Sequence, residues 1–314
     1  MSDRFFRWVL PILGLAILSG PQLVRAGQKP PPFETATGPG PTPMRPFGEF
    51  GGCSEEPAEF HRCALAKAGA FNPPRTPDGR PDLQGYWSRI ALRNIENLEE
   101  HAQSMDTSGN KSVIVDPATG RVPYQPWAAE KRRTNYSAYV NPQSFCLGTG
   151  SPKIGYSPGV NQIVQIPGSV VFLSDYAHYY RVVPTDGRPH FGSSLRLFMG
   201  DARGRWEGNT LVVDVTNLND GIWLDAIGNF YSDAVHVVER WTMFHPDVIH
   251  VEATIDDPKV YTRPWTIAFG LARNKMPEYE IWENACYEGI SIDRGLRSRN
   301  GDRMLYPGAA VPKP

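Results

Sequence analysis

The chain has 314 residues, 32 basic and 33 acidic side chains, and a net charge of −1. That balance gives no reason to expect a nucleic-acid partner, which usually needs a basic patch. Thirty glycines and 30 prolines argue against long helices and for many short strands and turns, while 8 Trp, 13 Tyr and 14 Phe supply bulk for a core.

The first 26 residues read as an export signal. Arg4 and Arg7 make a positive start, Trp8–Leu18 (WVLPILGLAIL) is apolar, and Val24-Arg25-Ala26 is a small-residue cleavage site. The apolar stretch is shorter than the roughly 20 residues that cross a bilayer. Pro11 interrupts it, and no Cys follows to carry a lipid. The competing reading is an uncleaved anchor. The expectation is a mature protein that starts near Gly27, periplasmic or secreted, with no membrane partner after cleavage at Ala26.

Residues 27–52 are rich in Pro and Gly without apolar period and read as an extended arm. One short helix is expected over residues 53–70, so that 27–72 forms an arm with a disulfide-bonded helical segment. A β-barrel domain follows over 73–290, and then a tail over 291–314. Residues 91–106 and 126–134 are the other helical candidates, charged and peripheral. Four cysteines in an exported chain imply two disulfides. Of the three connectivities, Cys53–Cys63 with Cys146–Cys286 is preferred. Zinc is the alternative, but the C-x₂-C spacing it needs is absent.

From Val160 the pattern turns to strands: VNQIVQI, SVVFLSD, HYYRVVP, RWE, TLVVDVT, AVHVVERWTMF, VIHVEATID, TRPWTIAFGLAR and EYEIWEN. Pro167-Gly168, Asp186-Gly187, Gly208-Asn209 and Pro246-Asp247 mark turns between them. Eight or nine strands in meander order predict an all-β fold, closing into a barrel. The long connection Asn217–Asp233 is too long for a hairpin loop and is expected to cover the barrel mouth. Alternation puts Leu211, Val213 and Val215 inside, with Ile249, Val251, Ala253 and Ile255. Asp214, His250 and Glu252 then face water. Glu239 breaks the rule, since it shares a face with Val235, Val237, Trp241 and Met243. A buried carboxylate needs a partner or a raised pKa. Three readings stand: a general acid or base, an ion pair with an inward Arg such as Arg181, or a β-bulge that turns Glu239 outward.

Six segments in this order (PDLQGYW, QIVQIPGSVVFL, RVVPTDGRPH, GRWEGNTLVVDV, WLDAIGNFYSDAVHVVERW and IDDPKVYTRPW) resemble the signatures of a large, mostly uncharacterised family of exported bacterial β-proteins. The resemblance covers roughly Pro73 to Glu288. It implies the fold and the pairing of Cys146 with Cys286, and it brings no established reaction. Gly85-Tyr86-Trp87 ahead of a meander is also similar to lipocalin-like barrels. The chain departs from the family at Asp201, where G-H-S-x-G-R-W-E-G carries His, so any chemistry of that His would not carry over.

No nucleophile elbow, zinc-protease helix, P-loop or dinucleotide fingerprint is present. What remains is a constellation: Glu239, His190, Asp225 and His236 as acid–base candidates, and Trp206, Trp241, Trp265, Tyr180 and Arg240 as substrate contacts. If the long connection folds over the mouth, Asp225, His190 and Glu239 converge on an apolar cavity. Such a site suits cofactor-free and metal-free isomerisation, elimination, cyclisation or hydrolysis of a small hydrophobic or aromatic molecule. Core packing of the aromatics is the competing reading. A carrier without turnover is the alternative function.

Overall fold

A computed structural model describes residues 50–89, 97–102, 109–139, 141–281 and Cys286. The export signal, most of the arm, the C-terminal tail and parts of the 91–106 segment lie outside these residues. Helix α1 spans Pro57–Ala68. Pro57 takes the first position, where a missing N–H costs nothing, and the Glu56 carboxylate accepts from the Ala58 and Glu59 N–H groups. Helix α2, Pro126–Ala138, also opens on proline and runs beyond the expected 126–134. Residues 97–102 of the remaining helical candidate form no helix.

Ten strands form one antiparallel sheet: β1 Gly85–Arg89, β2 Ile114–Asp116, β3 Val160–Ile166, β4 Ser169–Ser174, β5 Tyr180–Pro184, β6 Asp201–Glu207, β7 Thr210–Thr216, β8 His236–His245, β9 Val248–Asp256 and β10 Trp265–Arg273. The first eight of the nine expected strand segments are found, as β3 to β10. Glu278–Ile281 of EYEIWEN is not strand, and Trp282–Asn284 lie outside the described residues.

The strand order is β5-β4-β3-β1-β10-β9-β8-β7-β6, with β2 paired to β10. Two meanders therefore run outward from β1, and the consecutive strands β5 and β6 become the two edges. These edges meet without a hydrogen-bonded ladder, so the sheet is a nearly closed barrel with one unsealed seam. Side chains close the seam. A Cβ on Gly204 of β6 would lie 2.8 Å from both Val183 Cγ1 and Thr185 Cγ2. The absence of a side chain at Gly204 is what lets the two edges approach.

The strand β1 joins the two meanders through Trp87, which is buried and donates its indole N–H to the Leu83 carbonyl at 2.8 Å. The Arg273 guanidinium lies 4.2 Å from the Trp87 ring and donates to the Gln84 carbonyl at 2.8 Å. Gly85, at φ +122°, leaves room for it, since a Cβ there would meet Arg273 Nη1 at 2.5 Å.

The inward faces follow the expected alternation: Leu211, Val213, Val215, Ile249, Val251, Ala253, Ile255, Trp265, Ile267 and Phe269 are all in the main core. The interior is filled at the level of Gly155, where a Cβ would meet Phe269 at 2.8 Å and Trp241 at 3.2 Å. Both expected disulfides are formed, Cys53–Cys63 and Cys146–Cys286. One expectation about faces fails. His250 is fully buried, because α1 lies on the outside of the sheet there. Period-two alternation separates the two faces of a strand but says nothing about what packs on the outer one.

Candidate functional site

Glu239 lies inside the barrel, fully buried, and the ion-pair reading holds. Arg181 of β5 reaches across and donates to both carboxylate oxygens at 2.7 Å. The Ser151 hydroxyl donates to Oε1, and the Trp241 indole N–H donates to Oε2 at 2.9 Å. The guanidinium rests 4.7 Å from the Phe172 ring, which packs 4.8 Å from Trp241. Burial pushes the Glu239 carboxyl up; the Arg181 charge and the hydrogen bonds outweigh it and hold the group below its ordinary value. A raised-pKa acid is therefore not found at Glu239.

Asp225 belongs to the long connection, which is packed into the core through Trp223, Leu224, Phe230 and Tyr231. Its oxygens accept from the Leu98, Ile227 and Asn229 N–H groups and from the Asn229 side-chain amide. Burial raises its pKa, with those hydrogen bonds opposing. Lys153 and Tyr156 hold the same connection by donating to the carbonyls of Trp223 and Leu224 at 3.1 and 2.8 Å. The Tyr261 hydroxyl holds Phe230 O at 2.6 Å. The connection is a pinned plug.

His190 is elsewhere. Connection 185–200 carries it across the outer face of β6, β7 and β8. There Nδ1 lies 3.0 Å from Asp201 Oδ2 and 3.2 Å from Thr216 Oγ1, and Nε2 lies 3.1 Å from Asp214 Oδ1. The His236 Nε2 approaches both oxygens of the same Asp214 at 3.1 Å. Strand register explains the meeting. Asp201 pairs with Thr216, and Asp214 lies two residues from Thr216 on the same face. Asn217, at φ +57°, anchors the connection by donating its side-chain amide to the Phe191 carbonyl at 3.1 Å. Asp201 is buried beneath it, accepting the Phe191 N–H at 2.7 Å and the Arg203 guanidinium.

The expected convergence of Asp225, His190 and Glu239 on one cavity is not found. His190 lies on the outer face, whereas Asp225 and Glu239 are buried and are held by separate sets of partners. His190 and His236 do come together, through Asp214. That carboxylate stays accessible, with side-chain exposures of 28 % for His190, 29 % for Asp214 and 43 % for His236. The hydrogen bond with His236 is the main cause that lowers the Asp214 pKa, and the same bond raises that of His236.

The aromatic candidates divide in the same way. Trp241 and Trp265 are buried core, Trp206 packs partly buried against it, and Tyr180 is exposed on the outside of β5. Arg240 points outward and pairs with Glu207. Connection 185–200 exposes Phe191, the neighbour of His190 in sequence, and also Leu195 and Phe198. Asp201 and Asp214 were missed as site residues. Alternation assigned Asp214 to water correctly as to face, but the connection that brings His190 onto that face has no periodic signal.

No protein-family model and no curated protein matches this chain. The assignment of function therefore rests on the geometry. Among the described residues, no helix is long and apolar enough to cross a membrane.

Proposed function

We propose that this chain is an exported barrel protein that binds a small apolar or aromatic molecule and performs acid–base chemistry on it at His190, Asp214 and His236. The observation that carries the reading is the bridging of one accessible carboxylate, Asp214, by two imidazoles, one of which is oriented from behind by the buried Asp201. A carboxylate behind a histidine fixes the ring and stabilises its protonated form, the arrangement used for proton transfer. A substrate hydroxyl or acidic C–H takes the place of one imidazole–Asp214 contact, and that imidazole accepts or returns the proton. Phe191, Leu195 and Phe198 supply apolar contact surface on the same connection. Export is supported by the N-terminal pattern, the two disulfides and the resemblance to exported β-proteins.

The test is a tryptophan-fluorescence titration with a panel of aromatic and terpenoid compounds, each followed by product analysis. Binding with product is expected from the wild type, and binding without product from His190→Gln and Asp214→Asn. Wild-type binding with no product for any bound compound sinks the enzyme reading in favour of a carrier. That alternative is favoured by one observation: Glu239, the acid on the inward face of β8, is held in an ion pair by Arg181.

A further inference from the structure

Helix α1 lies on the outside of the barrel through its own small core: Phe60 and Ala64 meet Phe244 and Val248, with Phe50 alongside. At the centre of this contact two histidines meet. His61 Nδ1 of α1 lies 3.1 Å from His250 Nε2 of β9, and the ring centroids are 5.2 Å apart. Phe60 packs 5.8 Å from the His250 ring. His250 is fully buried and its Nδ1 has no hydrogen-bond partner among the described residues.

This geometry selects the proton positions. A hydrogen on His250 Nδ1 would be a buried donor without an acceptor, which is more costly than a bare ring lone pair. The hydrogen therefore sits on Nε2 and is donated to His61 Nδ1. A further proton on His61 Nδ1 removes that acceptor and sets N–H against N–H. The contact survives only if His250 moves its hydrogen to the orphaned Nδ1. A proton on His250 itself places an uncompensated charge in the apolar contact.

We infer that α1 is an acid-released cover: the His61–His250 contact holds it on the sheet near neutral pH, and protonation of the pair lets it detach while the barrel persists. Detachment uncovers Phe244 and Val248.

Few other charges face the pair. On α1 the neighbour is Arg62 and on β9 it is Glu252, which oppose each other at His61. On β8, Arg240 stands opposite Glu252 and is bonded to Glu207, and His245 accepts the Asp247 N–H. On β10 there is no ionisable side chain before Arg273, and Asp116 of β2 is paired with Arg263. Burial lowers the His250 pKa from 6.5 to about 3, and burial also lowers that of His61. Both groups bind protons less well when docked. Their stabilisation of docking is complete above the ordinary 6.5 and is lost as pH falls below it.

The test is hydrogen exchange on the full chain with both disulfides intact, between pH 8 and 4.5, corrected for intrinsic rates. The α1 opening constant is expected to rise up to about tenfold per pH unit below roughly 6.5 for one linked proton, while β7–β9 amides stay protected. His61→Gln and His250→Phe should each lessen that slope without abolishing it, because the histidine left in each is still buried on docking and titrates on release. His61 is half-buried on a helix, so its variant decides the matter where His250→Phe fails to fold. A flat α1 profile in the wild type overturns the inference, as does a slope in His61→Gln equal to that of the wild type.

Discussion

Glu239 shows how one residue's role depends on its partners. A lone inward carboxylate is a catalytic candidate, and the same carboxylate held by Arg181, Ser151 and Trp241 is a structural element. Removing one partner of such a pair leaves an unpaired buried charge. Arg181→Met should therefore destabilise the protein by about 3–5 kcal/mol, whereas Arg181→Met with Glu239→Leu should recover most of the loss. Urea unfolding of the three proteins checks this. Because the folded pKa of Glu239 lies below its unfolded value of 4.5, its contribution is present above that pH and lost as pH falls through the lowered folded value. The acid side of the stability curve should flatten in the double variant. At the outer-face cluster the sign is opposite for His236. Asp214 raises its pKa, so the contribution is complete below 6.5 and lost as pH rises through the raised value. An NMR titration should place the His236 midpoint above 6.5 in the wild type and move it back toward that value in Asp214→Asn.

Individual strands were legible wherever one face is apolar, as in β7, β9 and β10, and Gly-Asn or Pro-Asp turns delimit them. β1 and β2 were not legible as strands. They are short, and their pairing to β3 and β10 is long-range. The charged segment 91–106 read as helix from local propensity, which context overrides at residues 97–102. Gly204, the first residue of GRWEGNTLVVDV, stands just ahead of the expected strand RWE, but it lies within β6 and serves the seam between β5 and β6. Gly204→Val should press on Val183 and Thr185, both stiff β-branched side chains, and cost about 1–3 kcal/mol. A lower thermal midpoint with an unchanged far-ultraviolet spectrum is the expected result. An unchanged midpoint would show that the seam gives way freely.

At the scale of the whole molecule, Cys146–Cys286 closes a 140-residue span that contains β3 to β10. Cys146→Ser with Cys286→Ser should cost about 2–5 kcal/mol, because the unfolded chain regains the entropy of that loop. Denaturation of wild type and variant under non-reducing conditions measures it. The all-β class, the inward faces and the outlying Glu239 were readable from residue order, since each is a matter of local period or composition, whereas the disulfide pairing was a preference among three connectivities that the family resemblance supported. Three features arose only on closure of the sheet. Arg181 was brought opposite Glu239, α1 was laid over His250, and connection 185–200 was folded so that His190 meets Asp214 and His236. Each joins residues far apart in the chain or on different elements. Periodicity reports which face a side chain takes, and only packing decides what lies against that face.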